Sequence, residues 1–127
     1  MPIIRDFAAP ANAKALEFPE STDSKLFLAF ISSDDPITGQ PWCPDVRAAL
    51  PSINAAFEAE NAPSVGIVQV GQKPEWREPK NVYRTNWNIN NVPALVRYQR
   101  LNGEVSETGR LIEGEILDKK KLQDFLA

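Results

Sequence analysis

The sequence predicts an α/β fold in which a mixed β-sheet is flanked by helices. Residues 26–31 are continuously apolar, as are strands that are buried on both faces of a parallel sheet, and residues 65–70 are rich in apolar β-branched side chains, as a further strand would be. Residues 45–60 lie between them and repeat apolar side chains at helical spacing. Asn102 and Gly103 tolerate the positive φ of a tight hairpin turn, which predicts an antiparallel pair after the parallel strands.

The chain before the long helix is predicted to contain two strands and a short helix. Ile3 and Ile4 form the first strand. The strand over residues 26–31 is the second, and residues 32–41 then form a polar loop that includes two prolines. Residues 11–18 form the short helix, whose inward side chains are Ala15, Leu16 and Phe18.

The long helix over residues 45–60 is interrupted by Pro51. An interior proline removes one backbone hydrogen bond and crowds the preceding turn, so a kink is predicted near residues 47–48. The inward side chains of this helix are Val46, Ala49, Leu50, Ile53, Ala56 and Phe57.

The second half of the chain adds two helices and two strands after the strand over residues 65–70. Residues 71–80 form a polar loop in which Trp76 is exposed. The elements that follow are a helix over residues 81–88, strands over residues 92–98 and 104–112, and a helix over residues 115–126. Inward side chains are Val82 and Tyr83 in the first of these helices and Ile116, Leu117, Leu122, Phe125 and Leu126 in the last.

Composition limits the classes of function. The 127 residues predict a single domain over residues 1–127. The net charge of −3 provides no basic surface for a phosphate backbone, so no nucleic-acid partner is expected. No apolar run approaches the ~20 residues of a membrane span and no signal peptide is visible, so no membrane association is expected. A single cysteine fits a reducing compartment, and we expect a cytoplasmic protein.

The absence of histidine from the chain excludes histidine-based triads, imidazole general bases and histidine-bound metals. A zinc or iron–sulfur site would need more thiolates than one cysteine supplies. We therefore expect no metal and no cofactor. Chemistry at the single cysteine is one of the few enzymatic possibilities that this composition leaves.

The single cysteine, Cys43, lies between the buried strand and the long helix in the sequence Trp42-Cys43-Pro44. Pro44 suits the first helical position, which makes Cys43 the N-cap. The free N–H groups of the first turn and the helix dipole then favour the reactive thiolate. A lone cysteine is more often a small buried apolar residue, and this alternative stays open. A dithiol oxidoreductase needs a second cysteine three positions on, where this chain has Val46.

Two charged neighbours are predicted to tune the thiolate in opposite directions. Asp45 lies two positions along the chain and disfavours the thiolate, while it stabilises the start of the helix. Arg47 lies four positions along, on the same helical face as Cys43, and favours the thiolate if its side chain folds back. The alternative is that the Arg47 side chain extends into water.

Three segments together resemble the thioredoxin-like Clot family, whose active site reads Trp-Cys-Pro-Asp-Cys. They are the site sequence Trp42-Cys43-Pro44-Asp45, the segment 70–79 (Val-Gly-Gln-Lys-Pro-Glu-Trp-Arg-Glu-Pro) and the pair Val92-Pro93. The resemblance extends from about residue 26 to the end of the chain. It implies a thioredoxin fold in which Cys43 takes the place of the attacking cysteine.

The resemblance also implies how a substrate is held. Val92-Pro93 is the cis-proline element that faces the site, and the Val92 backbone pairs with an extended thiol substrate. Residues 32–41 form an insertion beside the site that narrows access and disfavours large protein disulfides. Trp42 and Trp76 form the walls of the site, although Trp76 has the alternative of a half-buried loop anchor.

Two residues depart from the pattern that the resemblance implies. Val46 replaces the second cysteine, which resolves the mixed disulfide, so an external thiol must resolve it here. Ala29 stands where thioredoxins have a buried acid that accepts a proton. We predict a thiol–disulfide oxidoreductase with the single nucleophile Cys43, acting on small or mixed disulfides and using an external thiol such as glutathione. The alternative is a catalytically degenerate thioredoxin fold that serves as a binding module. Such a module would form a mixed disulfide with the thiol of a partner protein.

Overall fold

Five strands form one mixed sheet in the computed structural model, which describes residues 3–17 and 25–127. The strands are β1 (Ile3–Ile4), β2 (Lys25–Ile31), β3 (Ser64–Gln69), β4 (Ala94–Leu101) and β5 (Glu104–Ile112). They lie in the order β1-β3-β2-β4-β5. The first three of this order are parallel to one another, whereas β4 is antiparallel to β2 and β5 is antiparallel to β4. The predicted mixed α/β sheet is confirmed.

Strand β2 is the centre of the sheet because it pairs with β3 on one side and with β4 on the other. Residues 26–31 are all buried, which explains their continuous apolar run. Successive side chains of a strand point to opposite faces, so both faces of β2 need a cover. Aromatic side chains supply it, namely Phe57 and Phe125 against Phe27, and Tyr83 and Trp87 against Phe30.

Helices pack on both faces of this sheet. They are α1 (Pro44–Glu58), α2 (Lys73–Arg77), α3 (Val82–Thr85) and α4 (Lys119–Leu126), with 3₁₀ turns at Ala13–Ala15 and Glu113–Leu117. Within the described ranges, none of the helices has the length and apolar character needed to cross a membrane.

Helix α1 confirms the predicted long helix and most of its inward face. Its buried side chains are Val46, Ala49, Ile53 and Phe57. Leu50 and Ala56 are partly buried and pack against the same core. The helix continues through Pro51, so this proline does not end it. The kink near residues 47–48 stays a prediction.

The C-terminal segment differs from the single helix predicted over residues 115–126. The 3₁₀ turn ends at Asp118, whose carboxylate accepts a hydrogen bond from the Lys121 N–H at 3.1 Å and caps α4. This cap interrupts the helical phase, and Leu117 is therefore 51% exposed instead of inward. The other predicted inward residues are buried or partly buried, namely Ile116, Leu122, Phe125 and Leu126.

The segment between β3 and β4 contains one helix, α2, where the sequence predicts a polar loop. Gln72 and Glu75 form a capping box, in which the Gln72 N–H donates to Glu75 Oε1 at 2.8 Å, and this box starts α2. Helix α3 is shorter than the helix predicted over residues 81–88. Val82 is 42% exposed instead of inward, because α3 covers the sheet with Tyr83 instead.

The predicted helix over residues 11–18 is reduced to one 3₁₀ turn at Ala13–Ala15. Leu16 is buried as predicted, whereas Ala15 is exposed, because a single turn does not repeat the predicted helical face. Phe18 lies outside the described residues.

The segment after β1 lies against strand β3 at a glycine. The Phe7 N–H donates to the Ile67 carbonyl at 3.0 Å, and the Phe7 ring covers Gly66. A Cβ atom at Gly66 would lie 2.7 Å from Phe7 Cγ, which is closer than carbon atoms can approach. Gly66 is thus the residue that lets the N-terminal segment rest directly on the sheet.

The predicted hairpin between β4 and β5 is confirmed. Asn102 and Gly103 have φ values of 52° and 84°, as a tight hairpin turn requires. Farther along the hairpin, the Arg97 guanidinium donates to the Thr108 carbonyl at 2.7 Å and to the Phe125 carbonyl at 3.0 Å. Arg97 thereby joins the end of α4 to the antiparallel half of the sheet.

The buried phenol of Tyr98 in β4 is expected to make the stability of the protein depend on pH in the alkaline range. Burial, and next the charge of Glu107, raise the pKa of Tyr98 well above its usual range, although Arg110 opposes them. In the unfolded chain the phenol ionises near pH 10. Tyr98 therefore supports folding below about pH 10 and loses this contribution at higher pH, with a slope of up to about 1.4 kcal/mol per pH unit. The free energy of unfolding, measured with urea between about pH 9 and 11, should fall less steeply with pH in Tyr98→Phe than in the wild type. An equal dependence on pH in the two proteins would contradict this role of Tyr98.

Candidate functional site

Cys43 follows the loop after β2 and is the N-cap of α1, as predicted. Pro44 occupies the first helical position, and the Cys43 backbone is extended at φ −86° and ψ 123°. The Cys43 N–H donates to the buried Ser32 Oγ at 3.2 Å. This contact fixes the backbone of the N-cap, and the side chain is left half-buried at the carboxyl end of the central strand.

The Val92-Pro93 peptide faces the cysteine and is cis, as the resemblance implies. The Cys43 thiol donates to the Val92 carbonyl, with 3.9 Å between Sγ and the oxygen. Both Val92 and Pro93 are buried. The sulfur therefore has a backbone polar group on one side and the first turn of α1 on the other. The pairing of Val92 with a substrate stays a prediction.

The predicted loop over residues 32–41 folds back on itself as a short ribbon. Asp34 and Pro41 form an antiparallel bridge, and the Asp35 N–H donates to the Gln40 carbonyl at 2.7 Å. The Asp35 carboxylate accepts the Ile37 N–H at 2.7 Å and holds the tip. Ile37 itself is 92% exposed, so the ribbon presents an apolar side chain to solvent beside the site.

Trp42 holds the base of this ribbon against the end of β3. Its indole Nε1 donates to the Gly71 carbonyl at 3.0 Å, and its backbone N–H donates to the Ser33 carbonyl at 3.2 Å. The Gln72 side chain donates to the Asp34 carbonyl at 2.7 Å. Trp42 thus lies beside Cys43 with its polar edge already paired.

Trp76 is 6% exposed, so its predicted exposure is wrong. The Arg84 guanidinium covers the ring, with Cζ 3.8 Å from the ring centroid, and Arg84 Nε donates to the Trp76 carbonyl at 2.6 Å. The ring is buried because α2 turns it inward and α3 brings the arginine over it. Contact between Trp76 and a substrate stays a prediction.

Arg47 folds back toward the start of α1 and remains exposed to solvent. Its Nη1 donates to the Pro41 carbonyl at 2.6 Å, directly before the site sequence. Asp45 is exposed in the first turn. The charges of Asp45 and Arg47 therefore both lie at the start of the helix, and their effect on the thiolate stays a prediction.

The sequence of residues 7–127 matches the family described as thioredoxin domain-containing protein 17-like, thioredoxin domain. The chain belongs to this family. It is 42% identical over 101 residues to a thioredoxin domain-containing protein of Schizosaccharomyces pombe, covering 80% of this chain and 82% of that protein. It is also 34% identical over 93 residues to the thioredoxin-like protein Clot of Arabidopsis thaliana, covering 69% of each. The predicted resemblance to Clot proteins is confirmed.

A solved thioredoxin of Trichomonas vaginalis shares the fold of this chain. The TM-score is 0.58 at 12% identity, covering 98% of this chain and 95% of that one. At this identity the likeness concerns the fold alone. The predicted thioredoxin fold is confirmed.

Two positions near Cys43 give the site an apolar character. Val46 is fully buried at 0% exposure, on the inner face of α1 one turn from Cys43. Ala29 is also buried, in β2 between Ile67 and Leu95 of the neighbouring strands. No group of acidic or thiol side chains in the described residues is arranged to hold a metal ion.

Three side chains around the site were not singled out by the sequence. Ser32 accepts the Cys43 N–H, Ser33 Oγ accepts the Gly71 N–H at 2.9 Å, and Arg84 covers Trp76. Each contact joins segments that are at least eight residues apart in the chain. No local spacing rule predicts such contacts, because they depend on how the loops meet at the edge of the sheet.

Removing the Arg47 charge is expected to slow alkylation of Cys43 by iodoacetamide near pH 7. The loss of a cation near the helix start disfavours the thiolate, and for a solvated charge the expected effect is about two- to five-fold. The rate constant of Arg47→Ala can be compared with that of Arg47→Lys, which keeps the charge, and of Arg77→Ala, which removes an exposed charge from α2. An unchanged rate in Arg47→Ala would remove Arg47 from the site.

Proposed function

We propose that this protein is a monothiol thiol–disulfide oxidoreductase that acts on small or mixed disulfides through Cys43. The observation that carries the proposal is the placement of the chain's single cysteine. Cys43 is half-buried at the N-cap of α1 and faces the cis Val92-Pro93 peptide. Membership of a thioredoxin-like domain family makes a redox function plausible.

The proposed reaction has two exchange steps on a glutathione mixed disulfide. The Cys43 thiolate attacks the glutathione sulfur, a bond forms between these sulfurs, and the substrate sulfur leaves as a thiolate that takes a proton from water. Free glutathione, as its thiolate, then attacks the mixed disulfide, forms glutathione disulfide and releases the Cys43 thiolate. The substrate sulfur is reduced and the sulfur of the free glutathione is oxidised, so electrons balance.

An external thiol is proposed because the chain supplies no second one. The sequence contains one cysteine, and Val46 fills the place of the resolving cysteine with a buried isopropyl group. The mixed disulfide therefore persists until a thiol from solution reaches the half-buried sulfur. Glutathione is the proposed thiol because reducing compartments contain it as the main redox buffer.

Small or mixed disulfides are proposed because of the ribbon over residues 32–41. It is held by its own backbone hydrogen bonds and by the Gln72 side chain, so it stands beside Cys43 as a fixed wall. The surface of a large protein substrate would contact this ribbon before the substrate's disulfide reached the Cys43 sulfur. A small disulfide, or an extended peptide that carries one, avoids it.

The test is a glutathione-coupled assay on a cysteine–glutathione mixed disulfide. Formation of glutathione disulfide is followed through glutathione reductase and NADPH. We expect turnover that rises with glutathione concentration, and at low glutathione we expect intact protein mass to increase by one glutathione. The absence of both signals from folded protein would overturn the proposal.

A binding module is the second candidate, and Ile37 is the observation that favours it. Ile37 is 92% exposed at the tip of the ribbon, which its own hydrogen bonds hold in place, so its side chain is available to a partner. If contacts at this tip hold a partner, then Cys43→Ser protein should still bind it and Ile37→Ser protein should not. The two candidates are thereby separated by whether the sulfur is needed.

A further inference from the structure

We propose that Arg84 recognises a carboxylate of a small peptide disulfide at the end of the sheet that carries Cys43. This inference rests on the proposed function and names the chemical class of the substrate. It starts from Arg84 itself, a side chain that is neither fully solvated nor paired with an acid.

The guanidinium of Arg84 is held in one plane. It lies 3.8 Å above the centroid of the Trp76 ring, and Nε donates to the Trp76 carbonyl at 2.6 Å. Arg84 is partly buried and the ring beneath it is buried. Stacking and one hydrogen bond therefore fix the orientation of the group before any ligand arrives, which lowers the entropic cost of binding.

The two terminal nitrogens of Arg84 have no hydrogen-bond partner within the described part of the chain. By contrast, Arg97 uses both of its terminal nitrogens on backbone carbonyls, and Arg110 makes two bonds to the Glu107 carboxylate. The ion pairs of Glu107 with Arg110 and of Lys120 with Asp124 do not involve Arg84, and no acid of the described residues forms an ion pair with it. A partly desolvated cation with a free planar edge is suited to a carboxylate, which binds it through two parallel hydrogen bonds.

Hydrogen bonds connect this arginine to the cysteine end of the sheet. The Trp76 N–H donates to the Gln72 carbonyl at 2.9 Å, and the Gln72 side chain donates to the ribbon at the Asp34 carbonyl. Trp42, next to Cys43, donates to the Gly71 carbonyl. Helix α3 also precedes the Val92-Pro93 peptide in the same connection from β3 to β4. These bonds place Arg84 and Cys43 on connected segments, and the proposal requires a peptide that extends from the Cys43 sulfur across this surface to the guanidinium.

The net charge of the chain makes such a cation useful. At −3 the protein repels an anionic peptide such as glutathione disulfide over long range. A fixed guanidinium supplies a local attraction without changing the overall charge. The expected ligand is thus a small disulfide with free carboxylates, in preference to a neutral disulfide of similar size.

Binding can be measured without turnover by using Cys43→Ser protein as the parent. Calorimetric titration with glutathione disulfide gives the Kd, and adding Arg84→Gln is expected to raise the Kd about ten-fold, the usual effect of losing hydrogen bonds to a charged group. Arg84→Lys keeps the charge but not the planar edge, so it should raise the Kd by a smaller factor. Arg77→Gln is the matched control, since it removes an exposed arginine of α2, and it should change the Kd less than two-fold.

A second probe isolates the carboxylate. Glutathione disulfide esterified at both its glycine and its γ-glutamyl carboxyl groups should bind the parent and the Arg84→Gln variant equally. Equal Kd values for unmodified glutathione disulfide in these two proteins, or no detectable binding by the parent, would overturn the Arg84 proposal. If the Kd differs as expected while wild-type protein shows no turnover in the coupled assay, then the proposed reaction fails and the carboxylate site stands. Thermal unfolding of each variant confirms that a folded protein was titrated.

Discussion

Replacing Cys43 by serine is expected to reduce glutathione-dependent reduction of a mixed disulfide to the uncatalysed rate. A serine hydroxyl is not ionised near neutral pH and is a poor attacking group on sulfur, so no mixed disulfide forms. The assay is the coupled one described above, with intact mass as a second readout. No other position in the sequence carries a thiol, so the expected loss is complete.

The fold should survive this change, which makes the result interpretable. Serine is close to cysteine in size, the site is half-buried, and the backbone N–H of residue 43 still donates to Ser32. Serine is also a favoured N-cap residue, so the start of α1 is maintained. Circular dichroism and thermal unfolding check this point. Activity retained in a folded Cys43→Ser protein would mean that the reaction does not use this sulfur.

Replacing Val46 by cysteine is expected to convert the protein to dithiol behaviour. Positions 43 and 46 are three residues apart at the start of α1, where side chains are about 5–6 Å apart at Cβ and a disulfide can form after a small adjustment. The introduced thiol is then held next to the mixed disulfide and resolves it intramolecularly. Release of glutathione from the preformed mixed disulfide should become independent of added glutathione, which stopped-flow quenching and mass spectrometry can measure.

Position 45 offers the matched control for this gain of function. Asp45 is exposed, and a side chain two positions from Cys43 does not share its helical face. In Asp45→Cys, release should still rise linearly with added glutathione. Because Val46 is fully buried, its exchange for cysteine should also lower the free energy of unfolding by about 1 kcal/mol. Release from Val46→Cys protein that still depends linearly on glutathione would contradict the assigned geometry.

Local sequence patterns correctly predicted the features that depend on residues close together in the chain. The continuous apolar run at residues 26–31 predicted the central strand, since both faces are covered by aromatic side chains. Pro44 predicted the start of α1 and the N-cap position of Cys43, because proline is tolerated at the first helical position. Asn102 and Gly103 predicted the hairpin because both residue types tolerate positive φ, and both have positive φ in the structure.

The remaining features depend on contacts that no spacing reveals. Trp76 looked exposed because it lies in a polar segment, yet Arg84 and the short helix α2 bury it. The break before α4 depends on whether the Asp118 side chain caps a new helix or remains on the surface of a longer one. The cis state of Val92-Pro93 was implied by family resemblance, since most X–Pro bonds are trans and composition does not distinguish them.

The contact between Phe7 and Gly66 has a consequence for anyone who shortens this protein. A version that begins after Phe7 loses both β1 and the ring over the bare glycine backbone. Strand β3 then becomes an edge strand with unpaired backbone groups and an apolar depression beside them. Open edges of this kind pair with other chains, so such a version should self-associate even though its sulfur site is complete. The segment from Ile3 to Phe7 is therefore expected to limit self-association by covering the edge of β3.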